Sequence, residues 1–199
     1  DLVRVPFADA MLVPLPAGVA PAAVASLDNL TDAWRTVAPF LPLLDDDPRV
    51  LVFGGMSVGL YAAAIARALG LAVTYLDRDA RRLAIAERLG ATVGDVTDRP
   101  GRFRLTVHTS SRQPNLLNAI KATDRGGTIV DTGIFQNDVP LPLLRMYTVG
   151  VTFVTGRAHA RRDIPGVLDL VARGALDPGV VTATTVGWAE AAGAWSHHH

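Results

Sequence analysis

Six residues, Gly54, Gly55, Met56, Ser57, Val58 and Gly59, lie between an apolar run (49–53) and a segment of helical character that ends near Gly70. Gly54 permits a tight turn, and Gly59 permits a helix to seat closely on a strand. A helix opening near Ser57 presents free N–H groups and about half a unit of positive charge to a phosphate or diphosphate. The chemistry implied is anion binding by backbone, with Met56 where a further glycine would let a pyrophosphate come nearest. A methionine side chain is flexible enough to swing aside, and Gly55 beside it adds backbone freedom.

Asp77 closes the next apolar run (71–77), eighteen residues beyond Gly59. A carboxylate there can accept hydrogen bonds from both hydroxyls of an adenine-bearing ribose and would repel a 2′-phosphate, which favours NAD over NADP. The adjacent Arg78 weakens that discrimination, and the alternative is that Asp77 caps the helix that follows. Two further loop ends belong with this unit. Thr109, Ser110 and Ser111 follow one apolar strand and either cap the next helix or touch the cofactor's ribose or adenine. Residues 132–135 follow another, so that Gly133, Ile134 and Phe135 lie at the carboxyl edge where sheets of this kind bind ligands.

Other chemistry finds less support. His108 lies inside an apolar strand and reads as a satisfied core histidine. His159 sits in the basic loop "GRAHARRD", which is either a solvated turn or a place where Arg157 or Arg161 reaches a phosphate. Asp45, Asp46 and Asp47 read as a solvated turn, and no His, Asp or Glu spacing matches a zinc or calcium site. No serine lies in a nucleophile elbow, and the serine of "GGMSVG" has no activating base near it in sequence.

These residues need elements to position them. From residue 49 the chain alternates apolar strands with helical segments: "RVLVFG", "LAVTYLD", "ATVGDV", "FRLTVHTS", "GGTIVDTG" and "GVTFVTG" as strands, with helices between them and after the last. Continuous rather than alternating apolar strands, each with a crossover helix, predict an α/β fold. The sheet is doubly wound, six-stranded and parallel, in the order 3-2-1-4-5-6. Residues 1–20, broken by Pro6, Pro14 and Pro16, read as edge strands and turns. Asp28 is a candidate N-cap for the helix that follows, which Pro39 and Pro42 must bend or end.

Composition sets the outer limits. Nineteen basic residues balance nineteen acidic ones, so no electrostatic footprint for nucleic acid or an anionic membrane is present. The chain has no cysteine, hence no disulfide, thiolate metal site or cysteine nucleophile, and no apolar run reaches the roughly 20 residues of a membrane span. Asp1 opens the chain without Met or a signal-peptide pattern, and His197, His198 and His199 read as part of a purification tag. A truncated piece of a longer, cytoplasmic protein is expected.

The stretches "MLVPLPAGVAPAAVASLDNLTDAWRTV", "VLVFGGMSVGLYAAAIARALG", "VTYLDRDARRLAIAERLGA", "AIKATDRGGTIVDTGIF" and "VLDLVARGALDP" together resemble the C-terminal part of a medium-chain dehydrogenase/reductase, of the zinc-type alcohol dehydrogenase superfamily. The closing "TTVGWAEAAGAW" resembles the helix by which that family's chain returns to its catalytic domain. The resemblance implies a remnant of the catalytic domain over 1–27, an NAD(P)-binding Rossmann domain over 28–175 and a return segment over 176–196, with 197–199 as the tag. It implies hydride transfer between NAD(P) and an alcohol, carbonyl or enone substrate, and a homodimer paired through the edge strand "GVTFVTG". Three departures accompany it. Met56 replaces a glycine, and Asp32 stands where many relatives carry a threonine or other small polar residue facing the nicotinamide. The segment holding the family's zinc ligands and proton relay lies upstream, so zinc is expected only in a complete protein. The alternative is a Rossmann module with a structural, assembly or nucleotide-sensing role and no catalysis.

Overall fold

The strand at residues 49–53 shows why the chain folds as it does. Val50 and Val52 enter one hydrophobic cluster, and Leu51 and Phe53 enter a second on the opposite face. Successive side chains of a strand point to opposite faces, so a strand apolar at every position must be covered on both. In the computed structural model, which describes residues 3–196, that strand lies at the centre of a six-stranded parallel sheet. Asp1, Leu2 and the histidines read as a tag lie outside the described residues.

The chain runs α1 (Ala8–Met11), α2 (Leu27–Val37), β1 (Arg49–Phe53), α3 (Ser57–Ala68), β2 (Ala72–Leu76), α4 (Ala80–Arg88) and β3 (Thr92–Gly94). It continues β4 (Phe103–His108), α5 (Gln113–Ala122), β5 (Thr123–Asp131), α6 (Leu143–Val149), β6 (Thr152–Thr155), α7 (Ala160–Ala172) and α8 (Ala191–Ser196). The strand order is β3-β2-β1-β4-β5-β6, with every pair parallel, as the doubly wound reading expects. Helices α2, α3 and α7 supply Leu30, Ile65 and Leu170 to the first cluster, and α5 and α6 supply Ile120 and Met146 to the second.

Some local expectations are corrected. Residues 3–20 form no strand: Pro14 and Pro16 lack a backbone donor, Val3, Phe7, Met11 and Leu12 stay exposed, and the only regular element is the single turn α1. Helix α2 begins at Leu27, so Asp28 is not its cap. Asp28 lies in the first turn, where its charge meets the positive helix end. Pro39 and Pro42 do end that helix, by tightening the chain into a 3₁₀ segment, Ala38–Leu44. Strand β5 starts earlier than "GGTIVDTG" suggests, because a register shift against β4 takes up Gly126, with φ of +68°, as an irregularity within the strand. None of the described helices is long and apolar enough to cross a membrane.

Leu51 is fully buried at the sheet centre, whereas Leu144 on α6 is largely exposed. Leu51→Ala is expected to lower unfolding free energy by about 2–5 kcal/mol and Leu144→Ala by less than about 0.5 kcal/mol, measured by urea denaturation.

Candidate functional site

The chain turns sharply where β1 ends, and the turn is held by close packing. A Cβ on Gly55 would fall 2.5 Å from the Thr109 carbonyl oxygen, and one on Gly54 would fall 2.2 Å from the Tyr75 hydroxyl. A Cβ on Gly59 would fall 2.6 Å from Thr109 Oγ1. All three glycines are therefore required by the approach of neighbouring strands. Met56 is different. Its φ is −93°, which any residue adopts, and its side chain is 75% exposed. Met56 takes the cap position of α3 without a side-chain capping bond, so the first N–H groups of α3 lack a side-chain acceptor at that position. Ser57 Oγ accepts a 2.9 Å hydrogen bond from Asn29 Nδ2, which ties α2 to the start of α3.

Asp77 lies across a cleft of about 310 Å³ from that turn; Gly54, Gly55, Ser110, Arg112 and Asn115 also line it. The carboxylate is buried and receives five hydrogen bonds. Arg82 donates two, from Nε to Oδ2 at 2.7 Å and from an η nitrogen to Oδ1 at 2.8 Å. The N–H groups of Arg78 and Asp79 donate to Oδ1, and the Tyr75 hydroxyl donates to Oδ2 at 3.1 Å. Burial alone would raise the Asp77 carboxyl, but the Arg82 guanidinium and the two N–H groups prevail and hold it below the usual carboxylate value. Burial, with the Asp77 charge beside it, pushes the Tyr75 phenol far up. The capping alternative for Asp77 is corrected: Asp79 is the cap of α4, accepting from Arg81 N and Arg82 N.

The ends of β4 and β5 meet below the same cleft. Thr109 Oγ1 donates to the Phe53 carbonyl, and Ser110 Oγ contacts both His108 Nε2 at 2.9 Å and Asn115 Nδ2 at 3.1 Å. The capping reading of residues 109–111 is thereby corrected, since Arg112 takes the cap position of α5 and makes no side-chain capping bond. His108 is fully buried, as a core histidine should be, with Nδ1 2.6 Å from Asp131. Gly133 N donates to the same Asp131 oxygen, and the Phe135 ring lies nearly parallel to the His108 ring at 6.2 Å.

A second cleft, of about 490 Å³, opens at the ends of β5 and β6 between Asp32, Arg35, Thr132, Ile134, Gly156 and Arg157. Asp32 is paired with Arg35, whose guanidinium also donates to the Gly156 carbonyl at 2.7 Å. Thr132 Oγ1 is buried without a partner among the described residues. His159 takes the cap position of α7 and Arg161 lies in its first turn, both outside the two clefts. Sequence reasoning missed Tyr75, Arg82, Asn115 and Asp131. Asp131 had a signal: like Asp77, it is a charged residue closing an apolar run.

The residues present fit a dinucleotide: Gly54 and Gly55 share one cleft with a fixed carboxylate, and the turn leads straight into a helix start without a side-chain cap. They do not fit zinc, because among the described residues no three His, Asp or Glu side chains converge. The Asp77 carboxyl also links this site to stability. A group held below its unfolded value contributes stability above that value and loses it as pH falls through the folded one. Urea titrations are expected to show a loss of stability in the wild type below about pH 4, and Asp77→Asn should remove part of that acid slope while lowering stability at pH 7.

The model of the zinc-binding dehydrogenases matches residues 57–173. An alcohol dehydrogenase of Moraxella sp. (strain TAE123) is 30% identical over 172 residues, which cover 79% of this chain and 51% of the relative. The chain spans about half the length, or less, of the alcohol dehydrogenases it matches. Among solved structures, alcohol dehydrogenase TADH from Thermus sp. ATN1 superposes with a TM-score of 0.87 at 26% identity, over 96% of this chain and 59% of that one. An alcohol dehydrogenase (rspB) from E. coli CFT073, solved with NADH, shares the fold with a TM-score of 0.80 at 20% identity, over 92% of this chain and 57% of that one. With more than half of its residues inside the family's pattern, the chain belongs to the zinc-binding dehydrogenase family.

Proposed function

We propose that residues 28–175 bind a nicotinamide dinucleotide along the carboxyl edge of the sheet, and that the complete protein moves hydride between it and an alcohol, carbonyl or enone carbon. One observation carries this reading: Gly54 and Gly55 of the turn face the buried Asp77 carboxylate across a single cleft, and the chain passes directly from that turn into α3, which lacks a side-chain cap. When bound, the nicotinamide ring supplies the carbon that gives or takes the hydride. The N–H groups at the start of α3 hold the diphosphate, and Gly55 brings backbone close to it. Asp77 receives the adenine-side ribose hydroxyls. Because its oxygens already have five donors, Arg82, the partly exposed partner, must yield a bond for this to happen. Repulsion of a 2′-phosphate by Asp77 favours NAD, while neighbours of this fold carry NADH in one case and NADPH in another. Thr132 and Ile134 line the second cleft, and the loop they share with Gly133 and Phe135 suits the nicotinamide end.

The rest of the chain supports a larger assembly. Phe7, Trp188 and Trp195 are each more than 80% exposed, which suits segments 1–27 and 176–196 to packing on a further domain. Strand β6 has a neighbour on one side only, and Leu143, Leu144 and Tyr147 of α6, the element just before it, are exposed, which suits a homodimer through that edge.

Titration with NADH, followed by its fluorescence, should give saturable binding, tighter than that of NADPH, and Asp77→Asn should narrow the gap between the two. No saturation at millimolar NADH would defeat this reading and leave the non-catalytic one. Met56→Gly should change the affinity by less than about tenfold, or 1.4 kcal/mol, because the side chain already points to solvent. Sedimentation should find a dimer; a monomer at every concentration would overturn the edge pairing.

A further inference from the structure

Asp131, His108 and Ser110 form a chain that no local sequence pattern connects. The Asp131 carboxylate lies 2.6 Å from His108 Nδ1, and His108 Nε2 lies 2.9 Å from Ser110 Oγ. Asn115 Nδ2 reaches the same serine oxygen at 3.1 Å. His108 is fully buried, Asp131 and Ser110 nearly so, and Ser110 lines the cleft beside Gly54, Gly55 and Asp77.

Hydrogen-bond direction follows from the chemistry of each group. An ionised carboxylate only accepts, so Nδ1 carries the imidazole proton and donates it to Asp131. In the neutral imidazole Nε2 then has only a lone pair to offer, and the Ser110 hydroxyl donates inward to it. The Asn115 amide donates to Ser110 Oγ and takes one of its two lone pairs. What remains on Ser110 Oγ is a single lone pair. The same order of residues occurs in hydrolytic triads, but here the amide of Asn115 occupies electron density that a nucleophile would need.

We propose that Asp131 and His108 are positioning residues that, by fixing the imidazole tautomer, turn Ser110 Oγ into an obligate hydrogen-bond acceptor for a hydroxyl or amino donor on the adenosine half of the cofactor. The inference rests on the dinucleotide reading of this cleft. Asp131 joins the two loop ends as well: its Oδ1 also accepts from Gly133 N, and a Cβ on Gly133 would fall 2.4 Å from the Ser110 carbonyl oxygen. The loop facing the adenosine half and the loop facing the nicotinamide end are thus held at one spacing by one carboxylate.

Nitrogen-15 NMR of the imidazole in the ligand-free protein reads the tautomer directly. His108 is expected with its proton on Nδ1; a proton on Nε2 would overturn the proposal, whether or not cofactor binds. Ser110→Ala should weaken NADH binding roughly three- to tenfold and also lower the thermal midpoint, since it leaves His108 Nε2 and Asn115 Nδ2 buried without that partner; an unchanged affinity would also overturn the proposal. Asp131→Leu should move the proton to Nε2 and weaken NADH binding to a similar degree. The double variant Ser110→Ala/Asp131→Leu should then bind about as well as Asp131→Leu alone, whereas additive losses would show that Asp131 acts through packing and not through Ser110. If Asp131→Leu does not fold, the wild-type tautomer and Ser110→Ala still decide the matter. If the wild type binds no NADH, the functional reading fails, and the tautomer still decides the relay.

Discussion

The approach of Gly55 to the Thr109 backbone sets the spacing on which the rest of the site depends. A Cβ at residue 55 would lie 2.5 Å from a carbonyl oxygen, so the ends of β1 and β4 can draw together only because that atom is missing. These two strands flank the point where the strand order reverses, and the clefts of such sheets open there. Once that spacing is set, the positions of Asp77 on one side and Ser110 on the other follow from the sheet. The parallel register places Phe53 beside Leu76 and beside His108, and the two loops start from those pairs.

Charge is handled in the same economical way at two strand ends. Asp77 directly follows β2 and Asp131 ends β5, and each carboxylate is nearly buried. A buried carboxylate is costly unless it is paired and hydrogen-bonded. Asp77 is satisfied by a guanidinium, a phenol and two backbone groups, and Asp131 by an imidazole and a backbone N–H. Both partners come from neighbouring structure that the fold brings in: Arg82 from the first turn of α4 and His108 from the end of the adjacent strand β4. The acids therefore hold loops and helices together at the carboxyl edge of the sheet. Of the Asp77–Arg82 pair, Arg82 is the partner with access to solvent.

Met56 shows how a departure from a motif can leave the fold untouched. The glycines on either side of it are held by atoms of Tyr75 and Thr109, whereas residue 56 has an ordinary φ and an exposed side chain. The motif thus combines two requirements of different kind. Gly54, Gly55 and Gly59 answer to packing inside the protein, and the middle position answers only to what lies outside it. A methionine at that place is compatible with every internal contact of the turn.

From residue 49 onward the sequence by itself determined the element types, the six-stranded parallel sheet and its order, because apolar runs and helical periodicity are local and a parallel sheet must be covered on both faces; before it, the edge strands expected over residues 1–20 do not form among the described residues. It also located the loop ends that border the clefts, since a doubly wound sheet puts them at the carboxyl ends of its strands. It did not determine the ends of individual elements. Asp28 and residues 109–111 had the composition of caps, but packing started α2 at Leu27 and turned Thr109 and Ser110 toward the Phe53 carbonyl and the His108 ring. Nor did it pair Asp131 with His108, 23 residues away, or Asn115 with Ser110. Those partnerships depend on the register between β4 and β5 and on the seating of α5 against them, and register is a property of the assembled sheet. Residue types and periodicity fix what each segment wants to bury; only the tertiary structure decides which polar atoms meet once the burial is done.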